Sequence, residues 1–138
     1  MFEYRHRVQF YETDLMGIVH HSNYLRIVEE ARVAWAFEHG VLQWDKPETA
    51  SAFAVLGTEV SHVKPSRFGD LLRVEVQAKL QGVRVVFEYK VWKDDVLVAE
   101  SRTKHVNLDS DMRPQRPSEK LVKLMEKEAW NETWLSNL

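Results

Sequence analysis

The chain has 138 residues, a formal charge of −2 and an apolar fraction of 44%, which is enough for one domain with a hydrophobic core. A charge so near zero argues against a nucleic-acid-binding surface. The lack of cysteine excludes a disulfide scaffold, a thiol nucleophile and a thiolate metal site. The charged N-terminus is unlike a signal peptide, and no apolar run reaches the length of a membrane span. We therefore expect a cytoplasmic protein.

The first third of the chain predicts a strand followed by one long helix. Alternation over residues 4–11 is typical of a strand. The helix is predicted from Ser22 to His39, and Gly40 after it is a usual left-handed cap. Because a helix with two apolar sides is usually covered on both, a sheet wrapped around it, or a partner subunit, is expected. The apolar residues are Tyr24, Ile27, Val28, Ala31, Ala34 and Trp35 on one side and Leu25, Val33, Ala36 and Phe37 on the other.

The rest of the chain predicts strands and a final helix. After a loop over residues 41–51, strand patterns cover residues 52–64, 71–80, 83–93 and 96–108. Tight turns join the last three strands, which predicts an antiparallel meander. A proline-containing loop then leads to Ser118, which caps a helix predicted over about 118–134. This order indicates an α+β fold in a single domain, residues 1–138.

The segment between the first strand and the helix holds the strongest candidate for chemistry. Asp14 and Gly17 stand just before the helix, where unpaired backbone N–H groups carry partial positive charge. A carboxylate there can activate or deliver a nucleophile while the N–H groups polarise a carbonyl. The alternative is a turn or capping aspartate. Gly17 fits both interpretations, because it permits a tight turn and also the close approach of a ligand.

The histidines at the mouth of the helix suggest a metal site. His20 and His21 are candidate ligands, together with His6, His62 or Glu29. Adjacent strand residues point to opposite faces, however, and no HxH or HExxH spacing is present. We therefore expect no metal. His21 fits better as a group whose N–H or ring reaches a substrate carbonyl, and the alternative is a capping or partly buried histidine.

Three charged residues have both a functional and an ordinary interpretation. Glu29 is either an exposed ion-pair partner of Arg32 or a carboxylate in an enclosed place that needs a partner. Lys64 and Arg67 flank Pro65 near a turn, and they either bind phosphates or belong to a solvated turn. No P-loop, dinucleotide-binding or serine-hydrolase motif is present in the chain.

Two segments resemble a known family. The first is Tyr-Glu-Thr-Asp-Leu-Met-Gly-Ile-Val-His-His-Ser-Asn-Tyr-Leu at residues 11–25, followed by Glu-Glu-Ala-Arg at 29–32. It resembles the signature of the hot-dog-fold acyl-CoA thioesterases, especially the 4-hydroxybenzoyl-CoA thioesterase-like family with its Tol–Pal-associated and short-chain acyl-CoA thioesterase branch. The second, residues 60–70, resembles the family's segment of a strand, proline, an aromatic residue, glycine and aspartate. The resemblance covers about residues 4–108 and implies a long central helix wrapped by a five-stranded antiparallel sheet, plus a C-terminal helix.

The resemblance also implies roles for individual residues. Asp14 falls on the family's catalytic aspartate. His21 falls at the helix entry, where a backbone N–H polarises the thioester carbonyl. Gly17 and Ile18 line the approach to that N–H. Glu29 falls on an acid of the helix that supports the reaction.

The implied activity is hydrolysis of an acyl-CoA or acyl-carrier thioester to a carboxylic acid and a free thiol. Asp14 would be the general base or the nucleophile, with no metal or organic cofactor, since CoA is part of the substrate. The resemblance further implies a homodimer whose sheets join, often a homotetramer, with the active site between subunits. A non-catalytic acyl-binding or scaffolding protein is the alternative, and the presence of Asp14 with Gly17 and His21 favours the enzyme.

Overall fold

The computed structural model describes the backbone of residues 1–138 and every side chain except those of residues 50–52. The fold has six strands and two α-helices. Two 3₁₀ helices lie between them, at Phe10–Glu12 after the first strand and at Pro47–Phe53 after the first α-helix. The strands and α-helices are β1 (Phe2–Arg7), α1 (Ser22–Glu38), β2 (Ala54–His62), β3 (Leu71–Gln81), β4 (Arg84–Lys93), β5 (Val96–Leu108), β6 (Pro114–Gln115) and α2 (Glu119–Lys127).

One antiparallel sheet carries the fold, with the strand order β1-β3-β4-β5-β2. The predicted meander of β3, β4 and β5 is confirmed, and β2 lies at an edge of the sheet. The sheet has six strands rather than the predicted five, because Pro114–Gln115 pairs with the end of β5 at Asn107 and Leu108. A strand of two residues has no alternation that a sequence pattern could reveal.

The first strand is shorter than predicted. It ends at Arg7, and the chain then turns through the 3₁₀ helix at Phe10–Glu12. The alternating pattern over residues 4–11 is accurate for His6 and Val8, which are buried, but Phe10 is 76% exposed. The last apolar position of the pattern therefore belongs to a surface turn and not to the sheet.

Helix α1 lies across the inner face of the sheet and forms the core with it. Ile27, Ala31 and Trp35 are fully buried, and the Trp35 ring meets Phe87 of β4 edge to face at 5.1 Å between centroids. A large side chain buried in this way contributes about 1.5–3 kcal/mol. On the second apolar side of the helix, Ala36 is buried but Leu25 is 37% exposed. The second side is thus only partly covered within one chain.

Helix α2 begins as predicted and ends early. The Ser118 hydroxyl accepts a hydrogen bond from the Leu121 N–H at 3.2 Å, as an N-cap should. The helix stops at Lys127, although 134 was predicted. The C-terminal tail, residues 128–138, instead crosses the outer face of the sheet, where Asn131 bonds to Gln77 and Asn137 to Glu100. Tertiary hydrogen bonds to the sheet therefore outweigh continuation of the helix. No helix among the described residues is long and apolar enough to cross a membrane.

Candidate active site

A closed loop between the first 3₁₀ helix and α1 positions Asp14. The Asp14 N–H donates to the Ile18 carbonyl at 2.9 Å, and the Gly17 N–H donates to the Asp14 carbonyl at 2.9 Å. Gly17 has φ +76°, a conformation that costs a residue with a side chain about 1–2 kcal/mol. The Met16 N–H donates to Asp14 Oδ1 at 2.8 Å. Asp14 thus has the predicted turn role, and this contact also holds one oxygen of its carboxylate in place.

The same loop delivers His21 to the beginning of α1. The helix starts at Ser22, whose N–H donates to His20 Nδ1 at 3.2 Å. Within the described part of the chain, the His21 N–H makes no hydrogen bond, so a donor is available at the positive end of the helix. The His20 ring, a candidate metal ligand by sequence, lies 2.8 Å from the Ser22 hydroxyl, and by accepting the Ser22 N–H it takes up one of the free backbone donors at the start of the helix.

Asp14 and His21 open into one cavity of about 380 Å³. Two other predicted residues, Ile18 and Lys64, are in its wall. The structure therefore brings together an acid, an unpaired backbone donor, an apolar wall and a cation. The complete lining is Asp14, Met16, Ile18, Val19, His21, Tyr24, His62, Val63, Lys64 and Pro65.

Tyr24 and His62 also belong to this wall. The sequence analysis placed Tyr24 on an apolar side of the helix and named His62 only as a possible metal ligand. The Tyr24 hydroxyl lies 2.6 Å from Ser66 Oγ, and its ring meets the His62 ring edge to face at 5.2 Å. Burial raises the pKa of Tyr24, and the hydrogen bond with Ser66 works against that shift. Burial, and then the nearby charge of His21, lowers the pKa of His62. His62 reaches the cavity from the end of β2, which only the tertiary fold reveals.

Three predicted residues lie outside the lining of this cavity. Gly17 shapes the loop from its exposed side. Arg67 is exposed, and its N–H donates to Asp70 Oδ2 at 2.8 Å. The Glu29 side chain is 62% exposed and lies 3.8 Å from Arg32, which is the ion pair predicted as the ordinary interpretation. Within one chain, Glu29 does not lie beside Asp14, and its role in the reaction stays a prediction.

Glu29 instead borders a separate hollow of about 170 Å³, with Arg32 and Phe53 among its other lining residues. Among the residues that the structure describes, no group of three or more histidine, aspartate and glutamate side chains is arranged to hold a metal ion.

Known proteins are similar to this chain in sequence and in architecture. Residues 8–130 match the thioesterase-like superfamily. A hypothetical protein of Aquifex aeolicus is 39% identical, with 76% of this chain and 86% of that chain covered and a TM-score of 0.70. A hypothetical protein of Thermus thermophilus is 30% identical, with 91% and 98% covered and a TM-score of 0.82. An acyl-CoA thioester hydrolase of Escherichia coli is 27% identical over 92 residues, 66% of this chain and 69% of that protein. The chain belongs to the thioesterase-like superfamily and has its hot-dog fold.

Proposed function

We propose that this protein hydrolyses acyl-CoA or acyl-carrier thioesters to a carboxylic acid and a free thiol. The observation that carries the proposal is that Asp14 and His21 line one cavity, since the His21 N–H makes no hydrogen bond within the described part of the chain. Membership of the thioesterase-like superfamily supports the same reaction, as does the similarity to the Escherichia coli acyl-CoA thioester hydrolase.

The geometry suits a thioester because this carbonyl needs little activation. The carbonyl oxygen of the thioester accepts a hydrogen bond from the His21 N–H, and the helix dipole stabilises the negative charge that develops on this oxygen. Asp14 takes a proton from water while the water oxygen bonds to the carbonyl carbon, or its own oxygen bonds there to form an acyl anhydride that water then cleaves. In both routes the C–S bond breaks and the thiolate leaves with the bonding electrons. In the general-base route, the proton that Asp14 removed from water passes to the thiolate. In the anhydride route, the water that cleaves the anhydride supplies this proton, and Asp14 ends as a carboxylate in both cases.

The substrate enters from the side of Lys64. Lys64 is an exposed residue of the cavity wall, and Arg67 is exposed three residues further along. We assign both to the phosphates of CoA, because cations exposed beside a cavity attract an anionic ligand. No metal or organic cofactor is part of the proposal, since Asp14 and the helix supply the base and the electrophilic group.

The assembly we propose is a homodimer or homotetramer with the site near a subunit boundary. Strand β2 is an edge of the sheet, and Val55 and Leu56 on it are 54% and 52% exposed. Beside Asp14, Leu15 is fully exposed and Met16 is 73% exposed. Large apolar side chains exposed on an edge strand and on the loop beside Asp14 favour burial against another chain. A partner subunit seated there would also supply the second cover that α1 lacks.

The proposed place of action is the cytoplasm, which suits a chain without cysteine. Fractionation of cells that express an epitope-tagged form tests this location.

A screen of acyl-CoA thioesters, read by the release of free thiol, tests the activity. The panel should include short, long and aromatic acyl groups, each measured with and without excess chelator. We expect turnover of at least one class, unchanged by the chelator. Binding of acyl-CoA without release of thiol would favour the acyl-binding alternative. Activity lost in chelator and restored by zinc would contradict the aspartate mechanism.

A further inference from the structure

We propose that His6 is a positioning residue for the reaction. It acts as an imidazolium through Glu12, the last residue of the 3₁₀ helix that precedes the loop with Asp14. The inference rests on the proposed thioester hydrolysis for its kinetic consequences. Its structural part, a charged histidine that holds the loop closed, is testable without turnover.

His6 lies between two carboxylates beneath the site. Its Nε2 is 2.8 and 3.0 Å from the two oxygens of Glu12, and its Nδ1 is 2.7 Å from Glu30 Oε2. His6 is 8% exposed and Glu12 is 5% exposed. A neutral imidazole has one N–H and can donate to only one of two carboxylates, whereas an imidazolium donates to both. The charged form of His6 therefore satisfies the whole arrangement.

The surroundings of His6 contain little else that could balance these charges. Across the sheet, His6 pairs with the apolar Leu72. The Tyr4 hydroxyl donates to Glu30 at 3.1 Å, and burial, followed by the charge of Glu30, raises the pKa of Tyr4. Arg7, the neighbouring cation on β1, is exposed and donates to the Gly69 carbonyl. His6 is thus the cation in contact with the buried Glu12 carboxylate, which would be costly without one.

Glu12 connects this ion pair to both ends of the active-site loop, residues 13–21, which lies between the 3₁₀ helix and α1. Its carboxylate accepts the Gln9 N–H at 2.7 Å. Its carbonyl accepts the His20 N–H at 2.9 Å and the Asn23 side-chain amide at 2.8 Å. Asp14 follows Glu12 by two residues in the chain, and His21 follows His20. A displacement of Glu12 would therefore move the acid and the backbone donor relative to each other.

The variant His6→Gln tests the inference, because glutamine keeps a hydrogen-bonding group and lacks the charge. We expect kcat to fall about 10–100-fold, since small misplacements of reacting groups have effects of this size, with KM changed little. Amide hydrogen exchange over residues 13–21 should become faster. The matched control is His39→Gln, which removes another histidine ion pair, with Glu128 at 2.9 Å, far from the loop. It should leave kcat and the exchange of the loop unchanged.

A second measurement addresses the protonation of His6 directly. Nitrogen-15 NMR of the histidine side chains should find both ring nitrogens of His6 protonated at neutral pH, as donation to both Glu12 and Glu30 requires. In Glu12→Gln, one of these nitrogens should lose its proton, because a side-chain amide at this position can donate to Nε2, whereas the carboxylate can only accept.

Three results would overturn the inference: a His6 with only one protonated ring nitrogen at neutral pH, a folded His6→Gln enzyme with normal kcat, or unaltered exchange of residues 13–21 in that variant. If the wild-type protein releases no thiol from any substrate, the proposed function fails by itself. The NMR and exchange measurements then still decide whether His6 holds the loop.

Discussion

Asp14 has two tasks in this structure, and they can be separated by one substitution. Its Oδ1 accepts the Met16 N–H, which an asparagine oxygen would also accept, whereas only a carboxylate serves as base or nucleophile. We expect Asp14→Asn to retain the fold and to lose at least about 100-fold in kcat, the lower range for removal of a positioned base. The measurement is thiol release under saturating substrate, with circular dichroism to verify folding.

Asp45→Asn provides the control for this substitution. Asp45 is an exposed carboxylate in the loop after α1, so the same change of charge should leave turnover intact. Near-normal hydrolysis by folded Asp14→Asn would remove Asp14 from the mechanism.

Gly17 contributes through its backbone conformation. Its φ is +76°, and a Cβ at this position would meet no atom within 4 Å. In Gly17→Ala, strain and not crowding should therefore lower the free energy of unfolding by about 1–2 kcal/mol. Because the loop must relax, kcat/KM should fall as well. Urea unfolding and steady-state kinetics measure the two effects.

Gly82→Ala is the matched control, because Gly82 has φ +64° and equally open surroundings in the turn between β3 and β4. It should lose similar stability and keep full activity. Equal losses of activity in both variants would indicate a general effect of destabilisation rather than a role for the active-site loop.

A series of buried side-chain hydrogen bonds joins α1 to the sheet and has no part in the proposed reaction. Arg32 donates to the Tyr89 hydroxyl at 3.2 Å, the hydroxyls of Tyr89 and Thr103 are 2.8 Å apart, and Thr103 Oγ1 is 2.8 Å from His105 Nε2. His105 is fully buried. Burial, and then the charge of Arg32, lowers the pKa of His105 from 6.5 to about 4. The folded protein thus keeps this histidine neutral.

This shift predicts a loss of stability in mild acid. Between pH 6.5 and 4 the unfolded chain binds a proton that folded His105 rejects, so the free energy of unfolding decreases as pH falls through this window. The loss should reach about 2 kcal/mol at pH 5. His105→Gln should abolish this part of the pH dependence, which urea titrations at pH 7 and pH 5 would measure. Parallel pH profiles of both proteins would contradict the assignment.

The strands and helices that could be predicted from the sequence are those whose bounds depend on local residue patterns. The strands β3 to β5 alternate over ten or more residues with clear turns between them, and α1 was placed within one residue of its observed end. The 3₁₀ helix at Pro47–Phe53, where a loop was predicted, and the early end of α2 were missed. The end of α2 depends on tertiary contacts, such as that of the C-terminal tail with Gln77.

In the candidate site too, the residues of one local motif were predicted, and those brought in by tertiary contacts were not. Asp14, Ile18 and His21 lie within one continuous motif, so the sequence brought them together. Tyr24 and His62 meet in the cavity wall only because β2 ends beside the start of α1. The buried contact of His6 with Glu12 likewise gave no local signal, since it joins a strand to a turn.

In the whole molecule, strand β2 is an edge of the sheet and pairs with β5 on one side, which predicts self-association through its other side. Sedimentation at micromolar concentration should give at least twice the 16.3 kDa of one chain. A lysine in place of Leu56, which is 52% exposed on β2, should weaken the assembly because it puts a charge into an apolar contact. Val96→Lys is the control, at the first residue of β5, which is 50% exposed. A wild-type monomer would contradict the proposed assembly.

The C-terminal tail closes the outer face of the sheet over an acid. The backbone N–H groups of Ser136 and Asn137 donate to the carboxylate of Glu100, which is fully buried on β5. A buried carboxylate that loses its partners destabilises a fold by several kcal/mol. Here the same tail supplies both the donors and the cover, so a tail that detaches leaves Glu100 in water and not buried without a partner. Detachment of residues 136–138 is therefore a local opening whose cost is the loss of these hydrogen bonds, and not the burial of an unpaired charge.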